Sequence, residues 1–245
     1  MKTLEKRAKW LRKETLDLSV KIGIGHLGGS YSIIEILVSL YDKVLNPEDT
    51  FILSKGHACY PYYILLKERR GYNPEISGHP DIDVKNGIPC TTGSLGHGLP
   101  IGIGMALASK IKKEVGDIYI LMGDGECQEG TTWESSLVAS NYKLDNLVAI
   151  VDRNNLQALD STENILSLGD LSGKFNEFGW HVSEINGHNF DEIISALKFR
   201  ITEKPHIIVA NTIKGRGISY MENDSKWHVR LPNQDELKQA YKELE

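Results

Sequence analysis

The chain is poor in cysteine. It carries Cys59, Cys90 and Cys127, an odd number with no CxxC pair, which excludes a disulfide framework and reads as cytoplasmic. No apolar stretch approaches the length of a membrane span, and Met1 to Val20 lacks the apolar core of a signal peptide. No Lys/Arg run is long enough to track a nucleic acid, and the net charge is −5. Internal repeats, low-complexity segments and linkers are also missing. One domain over 1–245 is the simplest organisation, with 223–245 as a C-terminal extension. What is plentiful is glycine. The 23 glycines gather at Gly23–Gly29, Gly93–Gly104, Gly123–Gly130 and Gly215–Gly217, as backbone turns or close approach to a ligand require. Apolar residues make up 40%, enough for a sizeable core.

The pattern of periods predicts an α/β chain. Leu4 to Val20 reads as an amphipathic helix. A glycine loop, IGIGHLGGS, follows, and Ser30 or Ser32 is placed to cap a helix reaching about Tyr41. Phe51–Leu53 is a short strand ending in SKGH, Pro61–Arg70 a helix, and Asn73 to Gly98 a long loop. Leu99 to Lys113 is a helix whose small residues, Gly102, Gly104, Ala106 and Ala108, admit close packing. Asp117–Met122 is a strand running into GDGE, then a helix covers about Thr131–Tyr142. Asn146–Val151 is a strand running into DRNN. A strand near Trp180–Ile185, a helix near Phe190–Thr202 and a strand at His206–Asn211 complete the alternation, with a short helix from Gln234. Continuous apolar strands alternating with helices predict a doubly wound, mostly parallel sheet with helices on both faces.

Ligands of such sheets bind beyond the carboxyl ends of the strands. Gly123-Asp124-Gly125 and Asp152-Arg153-Asn154-Asn155 both sit at such ends. If the two strands are parallel, Asp124 and Asn154 open onto one edge, where a carboxylate, an amide oxygen and a loop carbonyl make a hard oxygen site suited to Mg²⁺. Gly125 would bring the backbone close to a diphosphate, with amides of the following helix directed at it. A bare Gly-Asp-Gly is ordinary turn chemistry. The strand context, the 28 residues between Gly125 and Asn154, and Asn154 itself together point to a site.

These residues resemble the thiamine-diphosphate fingerprint. Four further motifs, GHLGGS (His26), LSKGH (His57), SGHPD (His79) and TTGSLGHG (Gly93, Leu95), with KGRGISYMENDSKWH (His228), resemble the transketolase family over roughly Val20 to Pro232. The resemblance implies the fold's diphosphate-binding (PP) domain, a metal (Mg²⁺ or Ca²⁺) on Asp124, Asn154 and the carbonyl of Leu156, and thiamine diphosphate against Gly123, Gly125, Glu126, Asn154, His57 and His228. It implies Gly93 and Leu95 on the aminopyrimidine side. It places His26 and His228 on the reacting oxygens of the sugar, His57 near diphosphate and substrate, and His79 in the donor site. Glu129 matches an acid linking paired active sites, or is a first-turn helix acid favoured by the dipole. Histidines suit this chemistry because imidazoles both donate and accept near neutral pH. His181, His188 and His206 are assigned to ordinary surface or helix-end roles.

The sequence departs from the family at Leu27 (usually proline), His97 (usually glutamine) and Val229 (usually glycine). The last two suggest a specialised sugar pathway. Nothing corresponds to the second family domain, which binds the aminopyrimidine and supplies the glutamate for ylid formation; Glu126 lies in the diphosphate motif instead. The resemblance is therefore to the N-terminal subunit of a split transketolase. It implies transfer of a two-carbon ketol unit, with a pyrimidine-domain partner in an α₂β₂ assembly. Other readings are the α subunit of a 2-oxo acid dehydrogenase, a deoxyxylulose-phosphate synthase-like enzyme, and a non-catalytic cofactor-binding partner.

Overall fold

The structure, a computed structural model, describes residues 3–245. Five strands form one sheet: β1 (Thr50–Leu53), β2 (Ile118–Gly123), β3 (Leu147–Arg153), β4 (His181–Asn186) and β5 (His206–Asn211). The order is β1-β2-β3-β5-β4 and every pair is parallel. All five carboxyl ends thus open on one edge. Side chains alternate across the sheet. Phe51, Leu53, Tyr119, Leu121, Val148, Ile150, Ile208 and Ala210 enter one core, with Leu11 of α1 (Leu4–Ile22), Leu37 of α3 (Ile34–Ser39), Tyr62 of α4 (Tyr60–Arg70), Ile193 of α9 (Phe190–Lys198) and Ala240 of α10 (Gln234–Glu243). Ile52, Ile120, Met122, Ala149, Val151 and Ile207 enter the other, with Ile103 of α5 (Gly98–Lys112), Ala139 of α6 (Gly130–Asn141) and Phe175 of α8 (Leu171–Glu177). The doubly wound arrangement follows from strands that are apolar on both faces. No helix among the described residues is long and apolar enough to cross a membrane.

Some local expectations are corrected. Neither Ser30 nor Ser32 caps a helix N-terminus: helix α2 (Leu27–Tyr31) starts ahead of both, at His26, which adopts φ 69° and offers no side-chain cap, and α3 starts after Ile33. Their hydroxyls turn inward instead, Ser30 to the His26 carbonyl and Ser32 to the Gly29 carbonyl and Asp152. The chain bends once and continues as α3, then closes with a π turn at Leu40–Val44. The helix after β4 stops at Lys198, short of Thr202. A short helix α7 (Thr162–Leu166) and α8, which the periodicity does not show, fill the connection after β3. Gly102 does meet a close neighbour, since a Cβ there would lie 2.3 Å from Ile120 Cδ1, whereas Gly104 has nothing within 4 Å.

His206 belongs to the core rather than the surface. It is 1% exposed at the start of β5, with Nε2 2.9 Å from Ser183 Oγ. Burial, followed by the neighbouring His181 and Arg200, pushes its pKa down to about 4. The unfolded imidazole takes up its proton near pH 6.5. Between those values the unfolded chain binds more protons, so stability falls as pH drops through that window. Urea unfolding at pH 7 and pH 4.5 is expected to show wild type losing about 2–3 kcal/mol more than His206→Asn. Equal losses in the two proteins would refute the assignment.

Candidate active site

Strands β2 and β3 pair with Gly123 opposite Asp152, so the residues that follow each strand emerge side by side. Asp124 is 3% exposed. Its Oδ1 accepts from the Gly125 amide at 2.8 Å and its Oδ2 from the Asn155 amide at 2.7 Å, tying one strand tip to the next. Asn154 donates through Nδ2 to Asp152 Oδ2 at 2.9 Å, which fixes the amide and leaves Oδ1 as its acceptor oxygen, accepting from the Leu156 amide at 3.1 Å. Burial, reinforced by the nearby Asp152 carboxylate, pushes the Asp124 pKa up to about 6 against its backbone hydrogen bonds. A cation there would supply the missing opposite charge. The donor set of carboxylate, amide oxygen and peptide carbonyl fits a hard divalent ion. Among the described residues no three His, Cys, Asp or Glu side chains gather as ligands, so such an ion would need further oxygens from a bound phosphate or water.

The α6 N-terminus is not the element next to this tip. A one-turn 3₁₀ helix, Asp124–Gln128, comes first, and the Gly125 amide is already engaged by Asp124. Glu126 is 1% exposed, and its oxygens accept from the Gly96 amide at 2.9 Å, the Gly123 amide at 2.8 Å and the Ser54 hydroxyl. Both oxygens are committed to shaping the loop.

Two lysines join the site that the sequence reading passed over, although both lie inside its motifs. Lys55 of LSKGH is 2% exposed; its ammonium pairs with Asp152 and donates to the Gly29 carbonyl at 2.9 Å. Asp152 also accepts from Ser32 and Thr212. Burial raises its pKa, but Lys55 more than offsets this and the net shift is downward. Lys214 of KGRGIS, equally buried, donates to the carbonyls of Leu156 at 3.0 Å and Gln157 at 3.2 Å, and meets His228 Nδ1 at 3.1 Å. Burial and the charge of Lys55 push its pKa down to about 8. The Leu156 carbonyl has a second lone pair, so a cation could share it. The signal available in the sequence was a lysine flanked by glycine just past a strand.

Four histidines from distant segments converge above this floor. The His26 ring lies 5.6 Å from His57, 6.1 Å from His79 and 5.5 Å from His228, and His57 lies 5.0 Å from His228. His26 Nδ1 is 2.7 Å from the His228 carbonyl. A carbonyl only accepts, so that nitrogen carries the proton and Nε2 is bare. At His228 the ammonium of Lys214 donates to Nδ1, so the proton is on Nε2. Burial first, then Lys214, His26 and Lys55, pushes the His228 pKa down to about 3. Burial and Lys55 take His57 well below its ordinary value, and burial lowers His26 against its carbonyl bond. All three rings are neutral at pH 7.

A cavity of about 130 Å³ lies over this floor, lined by Lys55, His57, Leu95, Asp124, Asn154, Leu156, Lys214 and His228 among others, with His26 and His79 outside its lining. Gly93 adopts φ 137°, and a Cβ there would lie 2.7 Å from His79 Cδ2; only glycine lets that ring approach. Glu129 is exposed, heads α6 and does not line the cavity. His97 and Val229 are also exposed outside the lining, His97 turning Nδ1 to the Leu95 carbonyl at 3.0 Å. His188 lies beneath the site, bonded to Glu35, and His181 packs at a tilt against His206 at the amino ends of β4 and β5.

A parallel sheet whose adjacent tips present Asp124, Asn154 and a carbonyl beside buried lysines defines an α/β domain with a polar pocket at the carboxyl ends of its strands. Residues 4–245 match the family described as transketolase, thiamine diphosphate binding domain, and the chain belongs to that family. It is 38% identical over its whole length to one of the subunits of the apulose-4-phosphate transketolase of Phocaeicola vulgatus, covering 94% of that protein. It is 39% identical, over 99% of the chain and 96% of the relative, to a 6-deoxy-6-sulfo-D-fructose transketolase subunit of Clostridium sp. strain MSTE9. The transketolase structure from Campylobacter jejuni superposes with a TM-score of 0.86 at 29% identity, covering 98% of this chain but 42% of the larger one.

Proposed function

We propose that this chain is the cofactor-binding subunit of a two-subunit transketolase, which transfers a two-carbon ketol unit from a ketose to an aldose. The observation that carries the reading is the convergence of His26, His57, His79 and His228 over the Asp124–Asn154 tip. Residues 1–245 act as one diphosphate-binding domain. Asp124, Asn154 and the Leu156 carbonyl hold Mg²⁺ or Ca²⁺. Lys55 and Lys214 add positive charge where the diphosphate sits, with Gly123 and Gly125 giving backbone access. Thiamine diphosphate, when bound, supplies the carbon nucleophile and the electron sink.

The chain's own residues handle protons and orientation. The bare Nε2 of His26 accepts a proton from a sugar hydroxyl. The Nε2–H of His228 donates to the oxygen that gains charge as the ketose carbonyl is attacked. His57 stays neutral and so does not repel the lysines beside it. His79, at the exposed rim, orients the donor, and Leu95 and Gly93 form the wall on the aminopyrimidine side. Glu129, exposed at the head of α6, is suited to contact a second subunit.

The partner would be a chain carrying the pyrimidine domain, in a cytoplasmic α₂β₂ assembly. In support, the similar proteins are named as subunits, and single-chain transketolases are more than twice as long. Those relatives act on ketoses with an anionic end by their names, and His97 and Val229 depart from the usual residues; both favour a specialised donor. The test is an assay of the chain with its partner. Ketol transfer from a phosphorylated or sulfonated ketose is expected, with none from pyruvate and none by the chain alone. Turnover of pyruvate, or activity of the isolated chain, overturns the reading, and xylulose 5-phosphate turned over as fast as any specialised donor removes the specialised pathway.

A further inference from the structure

Beneath the site lies a buried polar cluster that the proposed chemistry does not use. Arg12 of α1 is 6% exposed and Glu35 of α3 is 7% exposed. One guanidinium nitrogen of Arg12 donates to both Glu35 oxygens, at 2.7 and 2.8 Å, and Arg12 Nε donates to the Arg216 carbonyl at 2.7 Å. His188, just past β4, places Nδ1 3.0 Å from Glu35 Oε2. Its Nε2 accepts from the Ile213 amide at 2.9 Å. A backbone amide only donates, so Nε2 is bare, the proton sits on Nδ1, and His188 donates to Glu35. Burial raises the Glu35 pKa, but the bonds from His188 and Arg12 outweigh it and hold the carboxylate ionised.

The two ends of this cluster grip the backbone on either side of Lys214 and Gly215. The Ile213 amide and the Arg216 carbonyl flank Lys214, whose neighbour Gly215 donates its amide to the Gly28 carbonyl at 2.9 Å. Lys214 is the side chain that reaches Leu156, Gln157 and His228. We propose that Arg12, Glu35 and His188 are positioning residues that clamp the Ile213–Arg216 turn, so that Lys214 delivers its ammonium to the diphosphate floor and to His228. A long flexible lysine buried among carbonyls keeps one geometry only if its backbone is fixed, and two helices and the loop after β4 converge here to fix it. A buried arginine–carboxylate–histidine set spends desolvation free energy that plain apolar packing would not, which a positioning role explains.

The inference rests on the cofactor reading above, and its test separates the two. Thiamine diphosphate affinity is measured by calorimetry with Mg²⁺ on the assembled enzyme, in a double-mutant cycle of His188→Leu and Lys214→Met. His188→Leu is expected to weaken binding about 10–100-fold, as loss of a supporting hydrogen bond does at metal sites. In the Lys214→Met background the same change is expected to matter less than about twofold, because the residue it positions is gone. His188→Gln, which retains one donor and one acceptor, is expected to stay within about threefold of wild type. Should His188→Leu fail to fold, Arg12→Lys runs the same cycle from the other end. Amide exchange at Ile213 to Gly217 without cofactor is expected to accelerate in either variant. Additive effects, or unchanged protection of that turn, overturn the proposal. Absence of metal-dependent uptake by wild type instead overturns the cofactor reading, and the exchange result still decides the clamp.

Discussion

Asp124→Asn is expected to weaken metal-dependent thiamine diphosphate binding by the assembled enzyme by about two to four orders of magnitude, the several kcal/mol that a cation's contribution represents. The substitution keeps the side chain's size and removes its charge. It also leaves a conflict. Each Asp124 oxygen accepts one backbone amide, from Gly125 and from Asn155, and asparagine has a single acceptor. One amide then faces an NH₂ group, and the tie between the strand tips loosens. Ketol transfer is expected to fall in parallel, while unfolding of the cofactor-free protein changes little, because the aspartate is itself a costly buried anion with its pKa at about 6. Calorimetry with Mg²⁺ and cofactor decides it. Affinity within threefold of wild type would mean that Asp124 holds no metal, and the site would have to be reassigned.

Asp152→Ala is expected to be the most destabilising single change near the site, costing about 3–5 kcal/mol. Asp152 is 0% exposed and its ion-pair partner Lys55 is 2% exposed. Removing the carboxylate leaves a buried ammonium with the Gly29 carbonyl as its remaining hydrogen-bond acceptor, takes the acceptor from Thr212 and Asn154 and leaves Ser32 with the Gly29 carbonyl alone. For a chain of this size the midpoint should drop by roughly 10 °C. Thermal and urea unfolding of wild type and variant measure it. A loss under about 1 kcal/mol would show that water or a rearranged side chain satisfies Lys55 without Asp152. Cofactor affinity should fall too, since Asn154 would be free to rotate its amide.

Much of the sheet could be read from local pattern. DIYILM and NLVAIV are continuous apolar runs bounded by turn residues, and a run of that kind finds its lowest free energy between two layers of helices. The motif glycines are equally legible, as Gly93 shows: its left-handed backbone admits no side chain beside His79. The failures came where polar groups were buried. Ser30 and Ser32 carry the signature of helix caps, yet tertiary packing turned both inward, one to its own turn and one to Asp152. His206 looks like any polar residue at a strand start until the sheet closes over it. His188 has no local signal, because its partners Glu35 and Ile213 come from other elements.

The sequence by itself determined the five strands and the main helices that alternate with them, the Gly-Asp-Gly and Asn-Asn spacing and the five histidine and glycine motifs, since periodicity and spacing along the chain encode them directly. Only the tertiary structure decided which charges are buried and who answers them: Lys55 with Asp152, 97 residues apart, and His26 with the His228 carbonyl, 202 residues apart. The cost of burying a charge or an imidazole depends on the surroundings, and the surroundings exist only once the sheet has brought distant segments to one edge.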